Sequence, residues 1–146
     1  MLERFQGKNG RPALMDALRR QFLVDGSTEI AEKIASVMQL TEYYEGEAIF
    51  NQGERGGDLC LILSGKVSIR VDQQEVAIVN AGMHVGEIGM LEPFKGRSAT
   101  VVAMDTVVAA YLTQARFFEV AKTHPDLWRH LALELSHRLV RAQTKG

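Results

Sequence analysis

The stretch Leu59-Cys60-Leu61-Ile62-Leu63-Ser64-Gly65-Lys66-Val67-Ser68-Ile69-Arg70-Val71 reads as two β-strands joined by a tight turn. Leu59, Leu61 and Leu63 alternate with Cys60 and Ile62. Ser64-Gly65 supplies the turn, and Val67, Ile69 and Val71 then alternate with Lys66, Ser68 and Arg70. The same pattern continues outward. Val76 to Val79, Ala99 to Met104 and Val107 to Leu112 are β-prone, and glycines at 46, 53, 56, 57, 65, 82, 86, 89 and 96 punctuate the runs. Seven or eight short strands at such spacing predict a mainly β fold with flanking α: a jelly-roll β-barrel or sandwich over residues 41–114, of a kind that commonly encloses a cavity.

On either side the period turns helical. Pro12 suits a helical first turn, with Leu14, Leu18 and Phe22 following at helical spacing. Asp25-Gly26-Ser27 breaks that segment. A second helix is expected over Thr28–Met38, with Ile30, Ile34 and Val37 on one face. Residues 1–40 thus form an N-terminal helical segment. After the barrel, a short helical piece carries Phe117, Phe118 and Val120, and Pro125-Asp126 opens a longer helix. Trp128, Leu131, Leu135, Leu139 and Ala142 make a stripe on it that would cover the barrel, a second copy of the chain, or both. Residues 115–146 are therefore C-terminal helices. They stop at Gln143-Thr144-Lys145-Gly146 without a clear stop signal except the final Gly, which predicts that a further domain follows.

Composition narrows the class. Of 146 residues, 46% are apolar and 24% charged, enough for a packed core. The formal net charge of -1 lacks the basic footprint of a dedicated nucleic-acid binder. No apolar run approaches the roughly 20 residues that a bilayer span needs. Met1-Leu2-Glu3-Arg4 has no secretory h-region, and the lone Cys60 fits a reducing compartment. A cytoplasmic protein is expected, with neither nucleic acid nor membrane as partner of this chain.

The chemistry concentrates in Gly86-Glu87-Ile88-Gly89-Met90-Leu91-Glu92-Pro93-Phe94-Lys95-Gly96-Arg97-Ser98-Ala99-Thr100-Val101. A Gly-rich turn between strands offers backbone N–H groups to an anion, and the planar fork of Arg97 can hold two phosphate oxygens. Glu87 can accept hydrogen bonds from a hydroxyl pair such as a ribose presents. Together they describe a pocket for a nucleoside monophosphate.

This segment resembles the phosphate-binding cassette of the cyclic nucleotide-binding domain family, which includes the bacterial catabolite activator and kinase regulatory subunits. Gly86-Glu87-Ile88-Gly89-Met90 and Arg97-Ser98-Ala99-Thr100-Val101 match the family pattern, and Gly46-Glu47, Gly53 and Ser64-Gly65 resemble its other glycine positions. The resemblance runs over about Thr41 to Arg141. It implies a 3',5'-cyclic nucleotide as ligand and no other cofactor. Glu87 would bind the ribose 2'-hydroxyl and Arg97 the cyclic phosphate, while Ser98 and the backbone around Gly86 and Ala99 complete the phosphate shell. In the catabolite activator a Thr-Ser pair on the last helix reads adenine. The equivalent positions here are Ala142 and Gln143, so Arg138, Gln143, Arg70 and Thr100 are the remaining candidates to face the base.

The N-terminal helices, the Arg-Ser-Ala-Thr-Val-Val run and His124-Pro125-Asp126-Leu127-Trp128-Arg129 are similar to the sensor half of the Pycsar type of bacterial antiphage effector. In that group a cyclic nucleotide-binding domain precedes a TIR domain that degrades NAD, and the messenger is a cyclic pyrimidine nucleotide. The resemblance implies a cUMP-sensing regulatory domain, covalently linked to its effector, not an enzyme on its own and dimeric through its C-terminal helices. The alternative is a cAMP- or cGMP-binding domain of a catabolite-activator-type transcription regulator or other effector. Two metal-like groupings carry less. His84 with Glu87 lacks the further histidines of a cupin, and His130, Glu134 and His137 on one helical face read as solvated. No catalytic residue and no metal ligand is expected.

Overall fold

The computed structural model describes residues 1–145. Gly146, after which a further domain is expected from the sequence, lies outside the described residues. A 3-10 turn at Leu2–Phe5 leads into α1 (Gly7–Arg19) and α2 (Thr28–Val37). The strands follow as β1 (Gln39–Tyr43), β2 (Ala48–Phe50), β3 (Leu59–Ser64), β4 (Lys66–Val71), β5 (Gln74–Asn80) and β6 (His84–Val85). Then come α3 (Glu87–Leu91), β7 (Thr100–Ala103), β8 (Val107–Leu112), α4 (Gln114–Thr123) and α5 (Asp126–Lys145). The strands form two four-stranded sheets, ordered β1-β8-β3-β6 and β2-β7-β4-β5, and all their pairings are antiparallel. This is the expected mainly β jelly roll with helices at both ends.

β3 explains how the helices attach. Its run of five apolar side chains is buried on both faces, as an uninterrupted apolar strand requires. Leu59, Leu61 and Leu63 face the helices and join Phe5, Leu18, Ile34, Phe117, Leu127 and Leu131 in one core. Cys60 and Ile62 face the barrel interior with Phe50, Val67, Val85 and Val101. β8 divides the same way, Val108, Ala110 and Leu112 against Val107 and Ala109. Each such leucine contributes about 1.5–3 kcal/mol on full burial. β5 is different: it lies at a sheet edge, with Val76 and Ile78 exposed.

Several helix limits differ from expectation. α1 begins at Gly7, so Pro12 sits inside the helix and not in its first turn. The ring is on the exposed side and removes only the N–H that would have reached the Lys8 carbonyl. Phe22 lies beyond α1, and its N–H bonds instead to the Gly82 oxygen at 2.9 Å, tying this segment to the turn after β5. Ser27 caps α2 by accepting from the Ile30 N–H at 3.1 Å. The apolar stripe of α5 does not cover a single surface. Leu131 is buried and Leu135 packs beside it, but Trp128 is partly exposed against the edge of Phe117, and Leu139 is 61% exposed. A helix of 20 residues spans about 30 Å and outruns the core it starts on. Among the described residues no helix is long and apolar enough to cross a membrane.

Candidate functional site

A cavity of about 490 Å³ lies between the β2-β7-β4-β5 sheet, α3 and α5, within the roughly 300–1,000 Å³ usual for small-molecule sites. Its apolar wall includes Ile69, Val79, Met83 and Val101. Two glycines shape the entrance to α3. Gly86 has φ +98°, and a Cβ there would stand 2.6 Å from the Asp58 carbonyl oxygen. A Cβ on Gly89 would run into the Arg97 guanidinium and stand 2.8 Å from the Gly56 oxygen. The missing side chain at Gly89 is what leaves room for the Arg97 guanidinium beside α3.

Arg97 is buried and, among the described residues, makes no ion pair. Nη1 donates to the Gly86 oxygen at 3.2 Å and Nη2 to the Asp58 oxygen at 3.0 Å. Its guanidinium carbon sits 3.8 Å over the Phe50 ring centroid. The Asp58 carboxylate does not serve it, accepting instead from the Tyr111 hydroxyl at 2.7 Å. A buried cation held only by carbonyl oxygens and an aromatic face, with N–H donors to spare, is poised for an anion.

α5 brings the opposite charge. Glu87 is buried at the start of α3, and its Oε1 is ion-paired with Nη1 of Arg138. Arg138 Nε donates to Glu134 Oε1 at 2.7 Å, an i,i+4 pair on the same helix. His84 Nε2 lies 3.9 Å from Glu87 Oε2 and 3.8 Å from Glu134 Oε2. Those two oxygens and both His84 ring nitrogens have no hydrogen-bond partner among the described residues. Burial pushes the His84 pKa down, outweighing the pull of Glu87 and Glu134, so its ring is neutral near pH 7. Burial also disfavours the Arg138 charge, but Glu87 and Glu134 more than compensate and raise its pKa. The cavity can thus receive an anion at Arg97, hydroxyl donors at Glu87, and a flat apolar group along its apolar wall.

Gly86, Glu87, Ile88, Gly89, Arg97, Ser98, Ala99 and Arg138 all line this cavity. Thr100 does not. Alternation along β7 turns Ala99 and Val101 inward and Thr100 outward, where its hydroxyl accepts from the Gln52 N–H at 2.9 Å. Arg70 is outward for the same reason, next to Ile69, and shares that outer depression with Thr100. On α5 the cavity meets Arg141 and Ala142, not Gln143.

Sequence reasoning missed Glu134, His84 and Arg141 as wall residues. His130 and His137 diverge from Glu134: His130 Nδ1 contacts the Leu23 oxygen at 2.6 Å, and His137 lies edge-on to Phe22. The usable signal was the Glu134–Arg138 spacing, which marks a pair able to act together.

Comparison with known proteins agrees with this architecture. The family model for the cyclic nucleotide-binding domain matches residues 40–124. The chain is 37% identical to the Pycsar effector protein XpPycTIR of Xanthomonas perforans, over 95% of this chain and 46% of that protein. It is 35% identical to the Pycsar effector protein BcPycTIR of Burkholderia cepacia, over 96% of this chain and 46% of that one. The cAMP-activated global transcriptional regulator CRP of Escherichia coli O157:H7 matches at 26% identity, over 74% of this chain and 54% of the regulator. The chain therefore spans about half the length of the curated relatives it matches. Among solved structures, the Thermus thermophilus catabolite activator protein superposes with a TM-score of 0.77 at 28% identity, covering 86% of this chain and 61% of that one. With a matched model spanning more than half its length, this chain belongs to the cyclic nucleotide-binding domain family.

Proposed function

We propose that this chain is a sensor module that binds a 3',5'-cyclic nucleotide, cUMP, in the cavity beside α3. The observation that carries the reading is Arg97, a buried cation with no carboxylate partner among the described residues. A cyclic phosphate supplies the missing charge, with Ser98 and the backbone at Gly86 and Ala99 around it. The ribose 2'-hydroxyl donates to Glu87, whose Oε2 is free to accept. The base lies along the apolar wall.

Binding is the module's whole task, and it acts through α5. Leu127 and Leu131 anchor the start of that helix in the core, while the ion pair of Arg138 with Glu87 of α3 holds it further along. A ribose hydroxyl on the free Oε2 of Glu87 draws on the same carboxylate whose Oε1 pairs with Arg138, which alters the hold on the second half of α5. This is a coupling between ligand site and helix. Exposed Leu133, Leu139 and Val140 on α5 suit a two-fold dimer. On this reading residues 1–40 and 115–146 are the helical parts around a barrel at 41–114, and α5 leads to a cytoplasmic TIR domain that hydrolyses NAD in antiphage defence. Similarity to the two Pycsar effectors supports that assignment.

Similarity to CRP favours a second reading, a cAMP- or cGMP-binding module of a transcription regulator. Ala142, on the cavity wall, lacks the polar atoms with which such a helix would read adenine. Titration calorimetry with cUMP, cCMP, cAMP and cGMP decides between them. The sensor reading expects cUMP to bind tightest. Preference for a purine nucleotide instead supports the regulator.

A further inference from the structure

Three guanidinium groups line the cavity: Arg97 faces the phosphate, and Arg138 is taken up by carboxylates. Arg97 is engaged by the carbonyl oxygens of Gly86 and Asp58, and Arg138 by Glu87 and Glu134. Arg141 is exposed, and its side chain makes no ion pair or hydrogen bond among the described residues. It stands three residues, about 4.5 Å of helix rise, beyond Arg138 and borders the same cavity. Ala142 and Met83 on that wall carry no polar group that could discriminate between bases. Asn80 presents both a donor and an acceptor, so it can satisfy either kind of partner.

This inference rests on the cavity being a cyclic nucleotide site. With phosphate at Arg97 and ribose at Glu87, the part of the ligand that passes the Arg138 pair is the base. The exocyclic group furthest from the sugar is then the atom that Arg141 can reach. We infer that Arg141 is a specificity-determining residue that donates to an exocyclic oxo group and turns away an exocyclic amino group. The chemistry is one-sided. A guanidinium only donates, so it pairs with O4 of uracil or O6 of guanine. Facing N4 of cytosine or N6 of adenine, two donors meet and the guanidinium must retreat to solvent. Arg141 therefore sorts bases by oxo or amino character, independently of ring size.

The test is calorimetry on the full chain, comparing the wild type, Arg141→Ala, and Arg129→Ala as a control that removes an exposed α5 arginine away from the cavity. The wild type should bind cUMP about tenfold or more tightly than cCMP, the scale of one charge-assisted hydrogen bond. Arg141→Ala should bring the two within about threefold, chiefly by weakening cUMP, as loss of that same bond predicts. Arg129→Ala should leave the ratio as in the wild type. Equal weakening of both nucleotides by Arg141→Ala would place this guanidinium on the phosphate and overturn the inference, as would an unchanged ratio. A ratio that falls equally in Arg129→Ala would overturn it too, by reducing the effect to bulk charge. A wild type that binds none of the four cyclic nucleotides brings down the cavity reading and this inference with it. A wild type that binds them but discriminates without Arg141 brings down the inference alone.

Discussion

The two ends of the cavity are unbalanced in opposite directions. At the cassette end Arg97 is buried without a carboxylate, although Asp58 is close enough to lend its backbone oxygen. At the α5 end two buried carboxylates, Glu87 and Glu134, share the single charge of Arg138 beside a neutral His84. Taking charges out of water costs several kcal/mol each, so neither imbalance is favourable to folding by itself. A site that keeps both is arranged to orient a ligand, with its anion toward Arg97 and its donors toward Glu87. The two ends also differ in what their arginines do. Arg97 is free to take a ligand, whereas Arg138 already neutralises protein.

Substituting each arginine tests this division. Arg97→Ala should cost the most, about 2–5 kcal/mol of cUMP binding, or about 1.5 to 3.5 decades in Kd, with a much smaller effect on unfolding of the free protein. Calorimetry and urea melts on one preparation measure both, and a variant that binds as well as wild type would break the assignment of the cassette end. Arg138→Ala should show the reverse weighting. It leaves Glu87 and Glu134 without their counter-charge and should lower stability by about 1–3 kcal/mol in urea without ligand. Adding Glu134→Gln should recover part of that loss, since one of the two stranded charges is then gone. No recovery would mean that the pair is not held together by charge.

The smallest effect concerns His84. Burial holds its folded pKa below the ordinary value of about 6.5, so the unfolded chain takes up the proton first. Its contribution to stability is complete above about pH 6.5 and declines as pH falls from there toward the lower folded value, by at most about 1.4 kcal/mol per pH unit. His84→Gln should flatten the melting-temperature profile between about pH 7 and 5 relative to wild type. Parallel profiles would assign the acid sensitivity to other groups.

How much of this was legible in the sequence depended on whether position or packing set the outcome. β3 and β4 followed from period-2 alternation around Ser64-Gly65, and Glu87 and Arg97 from a segment whose glycines serve backbone close to those side chains. Parity along β7 also held the answer for Thr100: with Ala99 and Val101 turned in, it had to turn out. Glu134 was not legible in this way. His130, Glu134 and His137 share a helical face, but which of them meets the cavity is set by how α5 crosses Glu87 and Leu23, contacts distant in sequence. Pro12 misled because local propensity marks a helix start, whereas the turn at Leu2–Phe5 lets α1 begin earlier.

The two-sided burial of β3 and β8 means that the helical ends cannot be trimmed away to leave a working barrel. Stripped of α1, α2, α4 and α5, the shell would bare Leu59, Leu61, Leu63, Val108, Ala110 and Leu112 as one greasy sheet face. Barrel and helices must therefore melt together, and a methyl group lost inside the barrel at Ile62 is felt on the far side of the same strand.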